Sequence, residues 1–188
     1  MNFSLRALTV AAMISAASIG GAMAQDNPMV GGAAMFADKN IVENAVNSAD
    51  HTTLVAAVQA AGLVETLSGE GPFTVLAPVN AAFDALPAGT VDTLLLPENK
   101  DTLATILACH VIPAKALSTD IVGMVEADGG EHVVNTVGGC KLTLKAADGK
   151  VTVTDENGTV ANVTIADVIQ SNGVIHVIDA VLTPKSAM

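Results

Sequence analysis

Ser171-Asn172-Gly173 followed by Val174-Ile175-His176-Val177-Ile178-Asp179-Ala180-Val181-Leu182-Thr183-Pro184 decides how this chain is read. A turn signal opens the stretch, a nearly unbroken apolar run rich in Val and Ile follows, and Pro184 ends it. A half-exposed strand alternates apolar and polar residues; this one does not, so it reads as a strand buried on both faces. Only His176 and Asp179 interrupt it. A segment of the same character lies upstream, at Phe73-Thr74-Val75-Leu76-Ala77-Pro78, after the turn Ser68-Gly69-Glu70-Gly71-Pro72.

Around these two segments the chain changes character. Asn40 caps a helix carrying Ile41, Val42, Ala45 and Val46, and Leu54, Val58 and Ala61 mark a second helix that Gly62 ends. Asn80 is placed to cap a short helix that Pro87 stops, and Thr90 starts another turn of helix. A longer one opens at Pro97, with Leu103, Ile106, Leu107 and His110 at i, i+3, i+4, i+7, and residues 121–127 give one more. Beyond Gly129-Gly130 the pattern turns to strands, at 132–137, 141–145, 150–154, 159–169 and 174–182, with Asp148-Gly149 and Asn157-Gly158 as hairpin signals. Helices first and strands afterwards predict an α+β fold. No internal repeat or midway linker divides the chain, so residues 40–184 are expected to form one domain, with a tail at 185–188.

The N-terminus reads as an export signal. Arg6 precedes an apolar stretch from Ala7 to Ile19, and Ala22-Met23-Ala24 offers a cleavage site, so residues 1–24 are expected to be removed. The stretch is too short and too rich in Ala, Ser and Gly for a membrane span of about 20 residues. Residues 25–39 lack a period and are expected to be a flexible leader. The protein is therefore expected to be secreted or periplasmic, with no membrane span after cleavage. Beyond residue 24 there are seven Lys, no Arg, no Trp and no Tyr against 19 Asp and Glu. Phosphate contacts need a basic surface and single strands need stacking aromatics, so nucleic acid is excluded as a partner. In an oxidising compartment Cys109 and Cys140 read first as a disulfide, with two buried free thiols as the alternative.

Signatures of catalysis are missing: there is no Gly-x-Ser-x-Gly, no phosphate-binding loop and no dinucleotide fingerprint. His51, His110, His132 and His176 show no metal-ligand spacing. Asp155-Glu156-Asn157-Gly158 resembles a calcium loop only superficially, since its Gly falls fourth instead of sixth and Ala166 stands where the bidentate Glu belongs. Neither an enzyme nor a cofactor is expected. His110 and His176 each sit in an apolar run, where an unpaired imidazole would cost a few kcal/mol. Both are expected to be hydrogen-bonded in the core, His110 with Asn80 as neighbour, and Asp179 to act as a structural acceptor.

Three segments, Thr74 to Phe83, Cys109-His110-Val111-Ile112-Pro113 and Ser171 to Leu182, together resemble the first block, the Tyr-His block and the last block of the fasciclin (FAS1) family. Their order and spacing match as well, and the resemblance covers residues 40–184, with single-domain exported bacterial members the most similar in form. It implies an α+β wedge, a bent β-sheet core decorated by helices. It also implies an adhesion or interaction module that binds protein or carbohydrate partners. Carried over, the receptor-binding proposal for the Tyr-His block points to His110, Val111 and Ile112, although the Tyr position is Cys109 here. A monomer is favoured. The rival reading is a periplasmic small-molecule carrier or sensor with an apolar cleft between helices and sheet.

Overall fold

The computed structural model describes residues 27–185. The expected signal peptide at 1–24 and the tail beyond Lys185 lie outside the described residues. The helices are α1 (Ile41–Ala45), α2 (Thr52–Ala61), α3 (Val64–Ser68), α4 (Asn80–Asp84), α5 (Thr90–Leu94), α6 (Lys100–Ala108) and α7 (Ser118–Ala127). The strands are β1 (Phe73–Pro78), β2 (Val111–Ile112), β3 (Glu131–Asn135), β4 (Lys141–Ala147), β5 (Lys150–Thr154), β6 (Val160–Gln170) and β7 (Gly173–Ile178).

All seven described strands join one sheet in the order β2-β1-β7-β6-β5-β4-β3. The pairing is antiparallel except near one edge, where β1 runs parallel to β7 with Val75 opposite Ile175 and Leu76 opposite His176. The far end of the sheet curls back: Val137 N–H donates to Val111 O at 2.8 Å and Gly138 N–H to Ala108 O at 3.0 Å. The result is an α+β wedge around a nearly closed barrel.

The apolar runs of β1 and β7 follow from where the two cores lie. Successive side chains of a strand point to opposite faces. Val75, Ala77, Ile175 and Val177 face a core built with Leu54, Val58, Leu103 and Ile106 of the helices. Their neighbours Leu76 and Ile178 face the barrel interior with Leu142, Leu144, Val153 and Ile121. Every residue of β7 is buried, so a polar residue there must find a partner inside the protein.

Three expectations are corrected. The last strand stops at Ile178 instead of 182. Asp179 turns out to accept the backbone N–H of Asn162 at 2.7 Å and its side-chain amide at 2.8 Å, which bends the chain away from the ladder. Val181 and Leu182 remain buried beyond that bend. The leader is packed from Asn27 onward. The Asn27 side chain donates to Ile169 O and accepts from Ile169 N–H at 2.9 Å, as a neighbouring strand would, and Val30 and Met35 enter the helical core. Asn80 is the first residue of α4 and does not cap it; no side-chain bond closes that helix start.

Candidate functional site

The Tyr-His block leaves α6 at Cys109, which ends the helix, and passes through His110 into β2. His110 Nδ1–H donates to Ile106 O at 2.8 Å, and Nε2 accepts the backbone N–H of Leu182 at 2.9 Å. An imidazole that donates from one nitrogen and accepts at the other is neutral. Burial pushes its pKa down to about 4, against smaller raising effects from Ile106 O and the Asp155 carboxylate. The backbone of the block is equally committed, since His110 O accepts from Leu76 N–H and Val111 O from Val137 N–H.

That arrangement corrects two expectations. His110, Val111 and Ile112 are all buried, at 2, 5 and 6% exposure, so the folded domain offers none of the three side chains to a partner. Asn80 is not the neighbour of His110. Its Oδ1 accepts from Thr53 N–H at 3.1 Å and from the Thr52 hydroxyl at 3.2 Å, while its amide donates to Ala49 O at 2.9 Å. The reason lies in α2, whose N-cap is His51 and whose first turn has no side-chain cap of its own. Asn80 caps that helix from across the domain.

His176 sits in β7 with Nε2–H donating to Ala116 O at 2.8 Å and Nδ1 accepting from Asp167 N–H at 3.2 Å. Burial lowers its pKa too. Asp167 carries the network on. Its carboxylate accepts the backbone N–H of Ser118 at 2.7 Å and the Ser118 hydroxyl, fixing the start of α7. β6 is irregular around Asp167, between Ile165 and Val168, and this turns its N–H toward the imidazole. Cys109 and Cys140 are disulfide-bonded and buried, with Cα atoms 5.4 Å apart.

Several polar anchors escaped the sequence reading. Buried His51 has Nδ1 2.8 Å from the Ser48 hydroxyl, and burial lowers its pKa. The Ser-x-x-His spacing is the only trace of that pair. Buried Asn44 holds Phe36 through both its N–H and its carbonyl and also donates to Gln170 Oε1. Asp155 accepts from Asn157 and Thr159 N–H with one oxygen and from Thr183 N–H with the other, so the loop first compared with a calcium site holds its own hairpin and the chain end. Among the described residues no three His, Cys, Asp or Glu side chains converge as metal ligands, and no helix is long and apolar enough to cross a membrane.

Two concavities stand out among the described residues. One is an apolar cavity of about 50 Å³ between the helices and the sheet, lined by Val30, Met35, Leu54, Val58 and Ile175, with His51 and His110 in its wall. The other is an open polar cleft of about 540 Å³ between the α3–β1 turn and the β6–β7 turn.

The family model described as "Fasciclin domain" matches residues 49–184, most of the chain. This chain belongs to the fasciclin family. Protein sll1483 of Synechocystis sp. is 51% identical over 160 residues, covering 85% of this chain and 82% of the relative. Transforming growth factor-beta-induced protein ig-h3 of Sus scrofa is 41% identical over 133 residues, covering 71% of this chain and 17% of that longer protein. Among solved structures, a FAS1 domain pair from the insect cell adhesion molecule Fasciclin I matches with a TM-score of 0.69 at 17% identity, over 79% of this chain and 52% of the other. That likeness supports the fasciclin fold. The Cys109 departure from the family's Tyr is matched inside the fold by a bond to Cys140.

Proposed function

We propose that this fasciclin domain is an exported, non-enzymatic adhesion or interaction module of the cell envelope or extracellular space, binding a protein or carbohydrate partner. The observation that carries the reading is that the family blocks are spent on building the domain. His110 and His176 are buried, neutral and bonded at both nitrogens. A general base must reach a substrate proton, and neither imidazole has a free nitrogen to do so. Partner contact then falls to exposed loops carried on a rigid scaffold, where recognition residues usually lie. The cell-surface name of a further relative, the cell surface glycolipoprotein MPB83 of Mycobacterium bovis, 34% identical over 190 residues, supports the same compartment.

The test is a pull-down from envelope and culture-medium fractions of the source cell, with the folded protein as bait. A saturable partner supports the module; a mutation-sensitive hydrolase or transferase activity sinks it. The apolar cavity favours a second reading, a small-molecule carrier. Its volume falls well below the roughly 300–1,000 Å³ of ordinary ligand pockets. Native mass spectrometry of protein from its own host separates the two, since a co-purifying ligand belongs to the carrier alone.

A further inference from the structure

We propose that the open polar cleft between the α3–β1 and β6–β7 turns binds a neutral saccharide unit. This inference rests on the reading of the protein as an interaction module and assigns it a contact site.

The frame of the cleft is fixed by Asn172. Its Oδ1 accepts the N–H of Ile41 at 3.1 Å, its amide donates to Leu67 O at 2.8 Å and Gly69 O at 2.9 Å, and its carbonyl accepts Phe73 N–H at 3.1 Å. Ser171 N–H donates to Lys39 O at 2.9 Å, so the β6–β7 turn is tied to the start of α1 as well as to the α3–β1 turn. The two turns also touch through backbone. A Cβ on Gly71 would overlap the carbonyl of Asn172, and one on Gly173 the carbonyl of Phe73. Only glycine permits that approach at either position. A site held in this way needs little ordering when a ligand enters.

On this rigid frame stand the exposed side chains of Ser68, Glu70, Pro72, Lys115 and Ser171. The described ion pairs, His132–Asp128 and Lys145–Glu131, use neither Glu70 nor Lys115. The carboxylate accepts, the ammonium donates and the two hydroxyls do either. This mixture matches a ring bearing several hydroxyls, each at once donor and acceptor, and Pro72 offers an apolar face to the C–H side of a pyranose. The cleft volume of about 540 Å³ accommodates one or two sugar rings. The chain's net charge of −11 disfavours acidic glycans, which makes a neutral sugar the better fit.

Amide chemical shifts of the labelled full protein, titrated with cellobiose, maltose, lactose and chitobiose, test the proposal. The expected result is saturable shifts at residues 68–73, 115 and 171–173 for at least one sugar at millimolar concentration. Glu70→Ala and Lys115→Ala are each expected to weaken that binding about tenfold with the rest of the spectrum unchanged, because both residues are exposed. Silence from all four sugars, shifts centred elsewhere, or variants that bind as wild type would overturn it. A partner still captured from the envelope by both variants would leave the interaction-module reading standing while the cleft proposal fails.

Discussion

The Nε2 of His110 accepts the backbone N–H of Leu182 at 2.9 Å, across 72 positions of chain. This bond ties the block after α6 to the segment beyond β7, and only a neutral imidazole can make it. A proton on Nε2 would remove the acceptor and place a charge beside the N–H dipole. The Tyr-His block and the last block of the family pattern thus meet at one buried nitrogen.

Acid should therefore destabilise the domain. The folded pKa of His110 is about 4, below the unfolded value of 6.5, so between these values the unfolded chain takes up the proton and the folded one does not. Stability from this group is complete above pH 6.5 and drains as pH falls toward 4, about 3 kcal/mol in all. His51 and His176 are shifted in the same direction by burial and steepen the same window. Denaturant midpoints measured from pH 7 to 4 should fall steadily, and His110→Phe should flatten the slope. A profile unaltered by that substitution would remove His110 from the account.

Reduction should act independently of pH. The Cys109–Cys140 bond closes a loop of 31 positions that contains β2, α7 and β3, and both sulfurs are buried. Chain-entropy reasoning gives about 3–4 kcal/mol for a loop of that length. The Cys109→Ser/Cys140→Ser variant should lose stability on that order in equilibrium unfolding. Added reductant should then leave the variant's midpoint unchanged while lowering that of the wild type. Equal midpoints for both proteins under oxidising conditions would show that the bond contributes nothing.

Much of this architecture was legible because it rests on local signals. The unbroken run at residues 174–178, the Asp148-Gly149 turn and the Asn40 helix cap each announce themselves within a few residues. The side chains that close the tertiary structure do not. Asn80 looks like a cap for the helix that follows it, yet it serves α2, 27 positions earlier, because His51 at that helix start is held by Ser48. Asn27 docks on Ile169 through a single side-chain amide, which leaves no periodicity to read in residues 27–39. The block at 110–112 reads as a contact site by resemblance and, at His110, as a core histidine by its apolar run; the packing places all three side chains inside.

Asn80→Ala should cost about 1 kcal/mol, the usual loss for a helix cap, although the residue lies outside the helix it serves. Asn80→Asp keeps the acceptor for Thr53 N–H but loses the donor to Ala49 O, so it should fall between alanine and wild type. Hydrogen exchange at Thr53 reads the effect directly. Protection there that survives the alanine substitution would count against capping from across the domain.

Asn172 offers the sharpest test of how the wedge is held. It bonds Ile41, Leu67 and Gly69 through one side chain, joining the start of α1 and the end of α3 to the turn before β7. Asn172→Ala should cost on the order of 2–3 kcal/mol, since it removes three bonds at a part-buried position. Asn172→Asp keeps the acceptor for Ile41 N–H but turns the former amide toward the carbonyls of Leu67 and Gly69. A carboxylate facing two carbonyl oxygens is repelled, so aspartate should be no more stable than alanine at neutral pH. It should recover as acid protonates it, within the range where the histidine effect has not yet unfolded the protein. Unfolding of the three proteins at pH 7 and pH 5 decides the matter. An aspartate variant as stable as wild type at pH 7 would mean that the two donated bonds carry no weight and that the turn is held by backbone contacts alone.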